Sequence, residues 1–150
     1  MKAPGTISEV LKAKGHSRVL SISPDQTVYE AIQIMAEYDI GALMVIDQGK
    51  LSGIFSERDY ARKGVLHGHA SRETLVNQLM TSQVISVSPQ CTVDDCMALM
   101  TGRHIRHLPV VEDETVVGLV SIGDLVKWII GGQERTIQEL EGYIAGAYPA

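Results

Sequence analysis

The chain has 150 residues, of which 45% are hydrophobic, and carries a formal net charge of -5 with a sequence pI near 5.5. A chain of this length buries about 68–70% of its unfolded surface, enough for one compact domain or two small ones. The acidic balance argues against non-specific binding to nucleic acid or to an anionic membrane, because both require a cationic face. Any anion-binding site must therefore be local.

No stretch approaches the roughly 18 apolar residues of a membrane span, and residues 1–15 contain no hydrophobic run of the signal-peptide kind. We therefore expect a cytoplasmic protein. The only cysteines are Cys91 and Cys96, whose spacing matches no common zinc or redox motif. A reducing compartment would keep both as thiols, and we interpret both as packing residues.

An internal repeat organises the chain. Shifted by 65 residues, Val19–Arg62 aligns without a gap on Val84–Lys127, and 13 of these 44 positions are identical. Chance would give roughly two or three identities at ordinary residue usage. In the first copy the identical residues are Val19, Ser21, Ser23, Pro24, Thr27, Val28, Met35, Ile40, Leu43, Val45, Gly53, Ser56 and Asp59. The repeat predicts two halves with the same fold.

The first elements in chain order are a helix and a strand. The segment Ile7–Lys14 has an amphipathic pattern typical of a helix. Val19–Ile22 and its repeat partner Val84–Val87 alternate in polarity like short strands, and a Ser-Pro pair ends each of them. We therefore predict that a flanking N-terminal helix packs outside the repeats and that each repeat opens with a strand.

A capped helix follows each of these strands. Thr27 with Glu30, and Thr92 with Asp95, have the spacing of a capping box. Behind these caps, apolar residues recur at helical spacing and predict a buried face. These residues are Val28, Ala31, Ile32, Met35 and Ala36 in the first half, and Val93, Cys96, Met97 and Met100 in the second.

Each half then continues with two strands and a helix. The predicted strands are Leu43–Ile46 and Leu51–Phe55, repeated as Leu108–Val111 and Val116–Val120. The predicted helices are Asp59–Lys63, Asp124–Ile130, a connecting helix Ser71–Met80 and a flanking helix Gln133–Ile144. Gly64–Ala70, rich in Gly and His, is predicted to be a mobile loop.

Each half closes with the pattern Gly-apolar-apolar-Ser-x-x-Asp, as Gly53-Ile-Phe-Ser-Glu-Arg-Asp59 and Gly118-Leu-Val-Ser-Ile-Gly-Asp124. A tandem βαββα duplication with this motif resembles the cystathionine-β-synthase (CBS) domain pair, also called a Bateman module, from about Gly15 to Ile130. The resemblance implies an α/β (α+β) fold of two βαββα units related by a pseudo-two-fold axis, with flanking N- and C-terminal helices. The domain boundaries are then 1–15 for the N-terminal segment, 16–70 for the first unit, 71–130 for the connecting helix and second unit, and 131–150 for the C-terminal helix.

The resemblance also implies an adenine nucleotide in a cleft between the two units, with Asp59 and Asp124 on ribose hydroxyls and Ser56 and Ser121 near phosphate. Residue chemistry supports these roles. A carboxylate can accept hydrogen bonds from two adjacent hydroxyls. A serine at the start of a helix lies beside free backbone N–H groups, which favour a phosphate. The alternative is that each Ser-x-x-Asp only caps its helix.

The repeats differ around these shared positions. Arg106, His107 and Pro109 of the second copy align with Gly41, Ala42 and Met44 of the first, and Arg58 aligns with Gly123. A fixed guanidinium can bind phosphate oxygens bidentately, so we expect two inequivalent half-sites. AMP should prefer the pocket that Arg106 and His107 line, and the roomier pocket could accept NAD.

Further candidate contacts and alternatives remain open. We include Thr81 as a candidate ligand contact. The basic cluster of Arg103, His104, Arg106 and His107 is either a phosphate-binding site or a charged strand edge that prevents aggregation. His67 and His69 lack a third nearby ligand and are interpreted as loop residues rather than a metal site.

The sequence therefore predicts a non-catalytic regulatory module that binds AMP, ADP or ATP, with NAD at one site, and that forms a homodimer with no metal, nucleic acid or membrane partner. No activating base, metal cluster or phosphate-binding Gly-rich loop with Lys-Ser/Thr is present. The alternatives are a structural dimerisation module without a physiological nucleotide, an NAD(H)-responsive sensor, and an enzyme that acts on the nucleotide.

Overall fold

The computed structural model describes residues 4–15 and 20–144, with the backbone alone at 133–136, 139–140 and 142–144. Within these residues the fold is mixed α and β, as predicted. The helices are α1 Ile7–Ala13, α2 Val28–Tyr38, α3 Glu57–Asp59, α4 Val76–Leu79, α5 Val93–Arg103 and α6 Ile122–Ile144, and a π-helical segment Tyr60–Val65 continues α3. The strands are β1 Ser21–Ile22, β2 Ala42–Asp47, β3 Lys50–Ser56, β4 His107–Glu112 and β5 Thr115–Ser121.

The chain packs as two compact units. The central unit contains residues 20–86 and 109–119, and the terminal unit contains residues 4–15, 87–108 and 120–144. In the central unit, β2 pairs in parallel with β1 and antiparallel with β3. Strands β4 and β5 form a two-stranded sheet of their own.

The core of the central unit lies between α2, α4 and one face of the sheet. Leu43 and Val45 of β2 and Phe55 of β3 contribute to it. Successive residues of a strand face opposite sides, so Ala42 and Met44 lie on the other face of β2, where both are buried. Of the predicted face of α2, Val28, Ala31 and Met35 are buried and Ile32 packs against the core, but Ala36 is exposed and that part of the prediction is wrong.

The N-cap hydrogen bonds are confirmed in both halves, but the described residues show no reciprocal side-chain bond of a capping box at α2 or α5, and the Glu30 carboxylate accepts from the Gln26 side chain instead. The side-chain oxygen of Thr27 accepts a hydrogen bond from the Glu30 backbone N–H, and Thr92 accepts one from the Asp95 N–H. These bonds satisfy amides that have no partner inside a helix. In α5, Val93, Cys96 and Met100 are buried, as the helical spacing predicts, whereas Met97 is only half-buried.

The second half lacks its predicted first strand. Within Val84–Val87 only Val87 forms an isolated bridge, and none of the four residues is buried. In β1, by contrast, Ile22 is buried in the core of the central unit. Polarity alternates in both segments, but without a buried side the alternation has no packing to stabilise a strand. Val19, the predicted start of β1, lies outside the described residues.

The predicted connecting helix Ser71–Met80 is also shorter than expected. Only Val76–Leu79 is helical, because the backbone carbonyls of Ser71 and Thr74 accept hydrogen bonds from the first-turn amides of α2. Their donors are the N–H groups of Tyr29 and Val28, at 2.9 and 2.8 Å. The predicted loop Gly64–Ala70 begins inside the π-helical segment, where Gly64 is buried.

The N-terminal helix belongs to the second repeat instead of packing outside it. Segment 5–8 makes the same backbone contacts with residues 89–93 as segment 74–77 makes with residues 24–28. Three backbone hydrogen bonds of the second repeat each have a counterpart in the first. Val93 N to Gly5 O corresponds to Val28 N to Thr74 O, and Ile7 N to Cys91 O corresponds to Val76 N to Gln26 O. Ser8 N to Pro89 O corresponds to Asn77 N to Pro24 O. Ile7 and Val10 are buried in α1 just as Val76 and Leu79 are in α4. Helix α1 is therefore the counterpart of α4.

The C-terminal part is one continuous helix. The predicted helices Asp124–Ile130 and Gln133–Ile144 are joined through Gly131 and Gly132 in the 23-residue α6. The Trp128 indole N–H donates a 2.7 Å hydrogen bond to the Pro4 carbonyl, and a Cβ atom at Gly5 would lie 2.8 Å from the Trp128 ring. The N-terminal segment is thus fixed against α6. Among the described residues, no helix is both long and apolar enough to cross a membrane.

Candidate functional site

The first Ser-Asp motif lies where β3 ends and α3 begins. The Ser56 backbone N–H donates to Asp59 Oδ2 at 2.9 Å, and the Asp59 N–H donates back to Ser56 Oγ at 3.1 Å. This is a capping box. The Ser56 hydroxyl also donates to Asp59 Oδ2 at 3.0 Å, so that one carboxylate oxygen is occupied by the cap.

The second oxygen of Asp59 is occupied as well. Asp59 Oδ1 accepts a 3.2 Å hydrogen bond from the Thr81 hydroxyl and pairs with Lys63 Nζ at 3.1 Å. The lysine also donates to the Leu79 carbonyl at 3.2 Å. The structure thus brings Thr81 to Asp59, and it adds Lys63, which the sequence analysis did not name as a site residue although its position four residues after Asp59 is a typical ion-pair spacing.

Gly53 makes this arrangement possible. The Thr81 backbone exchanges two hydrogen bonds with Ile54, at 2.9 and 2.8 Å. A Cβ atom at Gly53 would lie 2.7 Å from Met80 Sδ and 2.8 Å from the Thr81 carbonyl oxygen. The absence of a side chain at Gly53 therefore allows Met80 and Thr81 to pack directly against the backbone of β3.

Strand β2 lies beside this motif, with Ala42 and Met44 in the strand and Gly41 immediately before it. The Gly41 carbonyl accepts a 3.1 Å hydrogen bond from the Glu57 N–H. Ala42 is the direct cross-strand partner of Ser56 and shares its face of the sheet, as does Met44. Arg58 is exposed on α3. All of these residues belong to the central unit.

The second motif, in the terminal unit, repeats the cap but not its surroundings. The Ser121 N–H donates to Asp124 Oδ2 at 2.8 Å, and the Asp124 N–H donates to Ser121 Oγ at 3.1 Å. The charge partner is Lys14, at the end of α1, whose Nζ lies 2.9 Å from Asp124 Oδ2. Among the described residues, none donates a hydrogen bond to Asp124 Oδ1. This oxygen can therefore accept a ligand hydroxyl.

Asp124 is held in its ionised form. Burial by itself raises the pKa of this carboxyl, but the Ser121 N–H and the Lys14 ammonium together outweigh burial and hold its pKa below the ordinary value of 3.8. The side chain of Asp124 is 19% exposed. At neutral pH the second motif therefore presents a partly shielded carboxylate, which forms stronger hydrogen bonds than a neutral acceptor.

Arg106 lies next to the second motif through its backbone. The Arg106 carbonyl accepts a 2.9 Å hydrogen bond from the Ile122 N–H, the repeat equivalent of the Gly41 contact. The Arg106 side chain is exposed, His107 is half-buried at the start of β4, and Pro109 is buried within β4 in the central unit. Arg103 and His104 end α5, with His104 at φ 55°, so only His107 of the basic cluster lies in a strand.

The other candidates stay apart from these motifs. His67 and His69 are exposed, and no set of three or more His, Cys, Asp or Glu side chains able to hold a metal occurs in the described part of the chain. Cys91 and Cys96 lie at the start of α5, where Cys96 is buried and Cys91 is half-buried. The two sulfur atoms are in contact, so Cys91 packs against the buried Cys96, as predicted.

Two copies of a strand-helix junction, each carrying the same Ser-Asp motif with the same helix cap, define a duplicated domain pair. The family model of the CBS domain matches the chain twice, over residues 7–65 and 76–131. The two matches begin at Ile7 and Val76, which occupy equivalent positions in α1 and α4. The chain belongs to the CBS domain family and contains a tandem pair, the type of module that serves regulation.

Similar proteins cover most of the chain. It is 41% identical to the mitochondrial CBS domain-containing protein CBSX3 of Arabidopsis thaliana, over 95% of this chain and 73% of that protein. A solved structure of a protein with CBS domains from Burkholderia ambifaria is 45% identical, with a TM-score of 0.83, over 86% of this chain and 96% of that one. The hexameric CBS-CP12 protein of bloom-forming cyanobacteria is 25% identical, with a TM-score of 0.73, over 81% of this chain and 70% of that one. CBS domain proteins can therefore form oligomers.

Proposed function

We propose that this chain is a non-catalytic regulatory module that binds an adenine nucleotide through its two Ser-Asp motifs. The observation that carries the proposal is Asp124, an ionised and partly shielded carboxylate whose Oδ1 accepts no hydrogen bond within the described residues. A ribose offers two adjacent hydroxyls, and a carboxylate that already caps a helix through Oδ2 can accept from them through Oδ1. The name of the Burkholderia relative, which assigns that protein to signal transduction, agrees with a regulatory role.

The second motif also suits a phosphate. It stands at the start of the 23-residue α6, whose N-terminal end carries a partial positive charge. Arg106 contacts this helix start through its carbonyl oxygen, and His107 is the next residue in the same unit. We propose that AMP, or the AMP part of ADP or ATP, binds here with its ribose on Asp124 and its phosphate towards Arg106.

The first motif is the weaker of the two half-sites. Both oxygens of Asp59 already accept hydrogen bonds, so a ribose must displace Thr81 or Lys63 before it can bind Asp59. The strand beside it carries Gly41, Ala42 and Met44, which are small or apolar and uncharged. A dinucleotide such as NAD, whose larger contact area can offset that displacement, is the ligand we propose for this side.

Calorimetry with AMP and 2′-deoxy-AMP on wild type, Asp124→Asn and Asp113→Asn tests the proposal. Removal of the charged acceptor should weaken AMP binding by about 1.5–3 kcal/mol, or roughly 10- to 150-fold, and 2′-deoxy-AMP should bind wild type similarly weakly. Asp113, in the exposed β4–β5 turn at φ 50°, is a matched control because Asn tolerates that conformation. If Asp124→Asn bound AMP as tightly as wild type, Asp124 would not bind the nucleotide and the motif would only cap the helix.

We further propose that a second copy of this chain covers α6. Ile122, Val126, Ile130 and Ile137 lie on one side of this helix and are 36–53% exposed, and such an apolar stripe is costly to leave in water. Ile130→Asp should convert a dimer into a monomer in sedimentation velocity, whereas Lys127→Asp, on a different face, should not. A monomeric wild type would disprove the dimer.

The cytoplasmic location stays a prediction, and the Arabidopsis relative is a mitochondrial protein.

A further inference from the structure

We propose that Cys91 and Cys96 form a reversible intramolecular disulfide, so that the start of α5 is an oxidative modification site. The two sulfur atoms lie 3.3 Å apart. A disulfide bond is about 2.05 Å long, so the sulfurs need to approach by only about 1.3 Å. Cys91 is half-buried and reachable by a small oxidant, whereas Cys96 is fully buried.

Helix geometry explains why the two sulfurs meet. Thr92 is the N-cap of α5, so Cys91 precedes the cap and Cys96 is the fourth residue of the helix. Side chains at these two positions pack against each other and fix the angle at which the chain enters a helix. The contact is therefore built into the start of α5 rather than being a chance approach of two flexible side chains.

The first repeat offers an internal comparison. Its residues at the same positions are Gln26 and Ala31. Gln26 instead uses its side chain in polar contacts, donating to Glu30 and accepting from the Ser23 N–H, and Ala31 has no reactive atom. The same local geometry carries two thiols in the second repeat alone. The first repeat forms the same helix start without cysteines, so the fold does not require them.

The oxidation balances with a hydroperoxide such as hydrogen peroxide. The Cys91 thiolate attacks one peroxide oxygen, the O–O bond breaks, and the departing hydroxide takes up a proton to form water. The Cys96 sulfur then attacks the resulting sulfenic sulfur, the S–O bond breaks, and the Cys96 proton leaves with the hydroxyl as a second water. The dithiol loses two electrons, and the peroxide gains them. A thiol reductant reverses the reaction by disulfide exchange.

The environments of the two thiols fix the order of these steps. Burial, with a smaller contribution from the hydrogen bond to Cys91, raises the pKa of Cys96 to about 12. Cys96 therefore stays protonated at neutral pH, and the first attack falls to the more exposed Cys91. Cys96 acts second, when the neighbouring sulfur is already within contact distance.

The disulfide would restrict the turn before α5, which is the part of the chain that binds the N-terminal segment. The Cys91 carbonyl accepts a 2.8 Å hydrogen bond from the Ile7 N–H, and the Pro89 carbonyl accepts one from the Ser8 N–H. A bond from Cys91 to α5 restricts this turn. Oxidation should therefore tighten the docking of α1, the helix that brings Lys14 to Asp124.

The test is the disulfide equilibrium of the full chain against reduced and oxidised glutathione, measured in buffer and again in concentrated urea. Free thiols are alkylated and counted by mass spectrometry. We expect the disulfide to be favoured at least about tenfold more in the folded than in the unfolded protein, which corresponds to about 30 mV in reduction potential. An equal or lower constant in the folded protein would overturn the proposal.

Two further measurements guard this result. Cys96→Ala, which installs the residue of the first repeat, should show no loss of two hydrogens under the same conditions, and an intermolecular cross-link in wild type in place of the internal bond would overturn the proposal. Because a bond favoured in the folded state must stabilise that state by the same factor, oxidised wild type should melt at a higher temperature than reduced wild type. A lower melting temperature would also overturn it.

Discussion

The two Ser-Asp motifs have the same helix cap but draw their lysine from different places. Asp59 pairs with Lys63, four residues further along the same helical stretch, whereas Asp124 pairs with Lys14, 110 residues away at the end of α1. Asp59 is also bonded to Thr81, while Asp124 keeps one oxygen without a hydrogen bond among the described residues. Duplication thus preserved the cap, and the surroundings decide which carboxylate can accept a ligand.

A larger difference underlies this one. In the first repeat the segment that completes the core, α4, comes after the repeat in the chain, and in the second repeat its counterpart α1 comes from the N-terminus. The second motif is therefore assembled from both ends of the chain. The first is assembled from neighbouring segments, so the two should respond differently to changes in α1.

The largest expected effect follows from the buried side chain of α1. Ile7→Ala should cost about 2–5 kcal/mol of stability, because it removes a fully buried side chain and leaves a cavity. Urea unfolding followed by amide hydrogen exchange measures it, and the loss of protection should appear first in α5 and α6. Lys12→Ala, on the exposed face of the same helix, is the control. Equal losses in the two variants would mean that α1 is not part of the core of the second repeat.

A smaller effect is expected at Gly53 in the first repeat. Gly53→Ala forces a Cβ atom against Met80 Sδ and the Thr81 carbonyl, and backbone cannot move aside as a side chain can. Overpacking of this kind costs about 1–3 kcal/mol. Gly123→Ala, at a glycine beside the second motif that is not the repeat partner of Gly53, is the control, because the nearest atom there is Ser121 Oγ at 3.6 Å, an ordinary contact. Thermal melts of both variants decide the matter, and a neutral Gly53→Ala would show that Thr81 is free to move away from Asp59.

The smallest expected effect concerns the lysine of the second motif and depends on pH. Because the Asp124 pKa is lowered on folding, its contribution to stability is present above the unfolded pKa of 3.8 and is lost as pH falls through the folded pKa. Lys14→Met should therefore destabilise the protein at pH 7 by at most about 1 kcal/mol, since the lysine side chain is 38% exposed and solvent screens the ion pair. The difference from wild type should vanish in acid.

Urea midpoints at pH 7 and in acid measure this difference, with Lys12→Met as the control for loss of a surface charge. Lys63→Met makes the same change at the first motif. If the effect of Lys14→Met were the same at both pH values, Lys14 would act by packing and not through the Asp124 carboxylate.

Local pattern was enough to predict most elements and the family. The caps at Thr27 and Thr92, the strands β2 to β5 and the Ser-Asp motifs all depend on residues within a few positions of one another, so a single sequence with an internal repeat reveals them. The same local reasoning failed at Val84–Val87, where the pattern alternates but nothing buries one side. It failed again at Ser71–Thr74, whose carbonyls are used by α2.

The sequence by itself determined the duplication, the capped helices and the position of both aspartates, because each of these is specified by spacing along the chain. Only the tertiary structure decided that α1 completes the second repeat. The contacts of α1 correspond to those of α4, which lies 69 residues later, whereas the repeats themselves align at a shift of 65. A gapless alignment of the sequence with itself therefore cannot show that α1 and α4 are equivalent. It also decided that Lys14 reaches Asp124. An ion pair across 110 residues leaves no trace in local pattern, because its formation depends on how two distant helices pack.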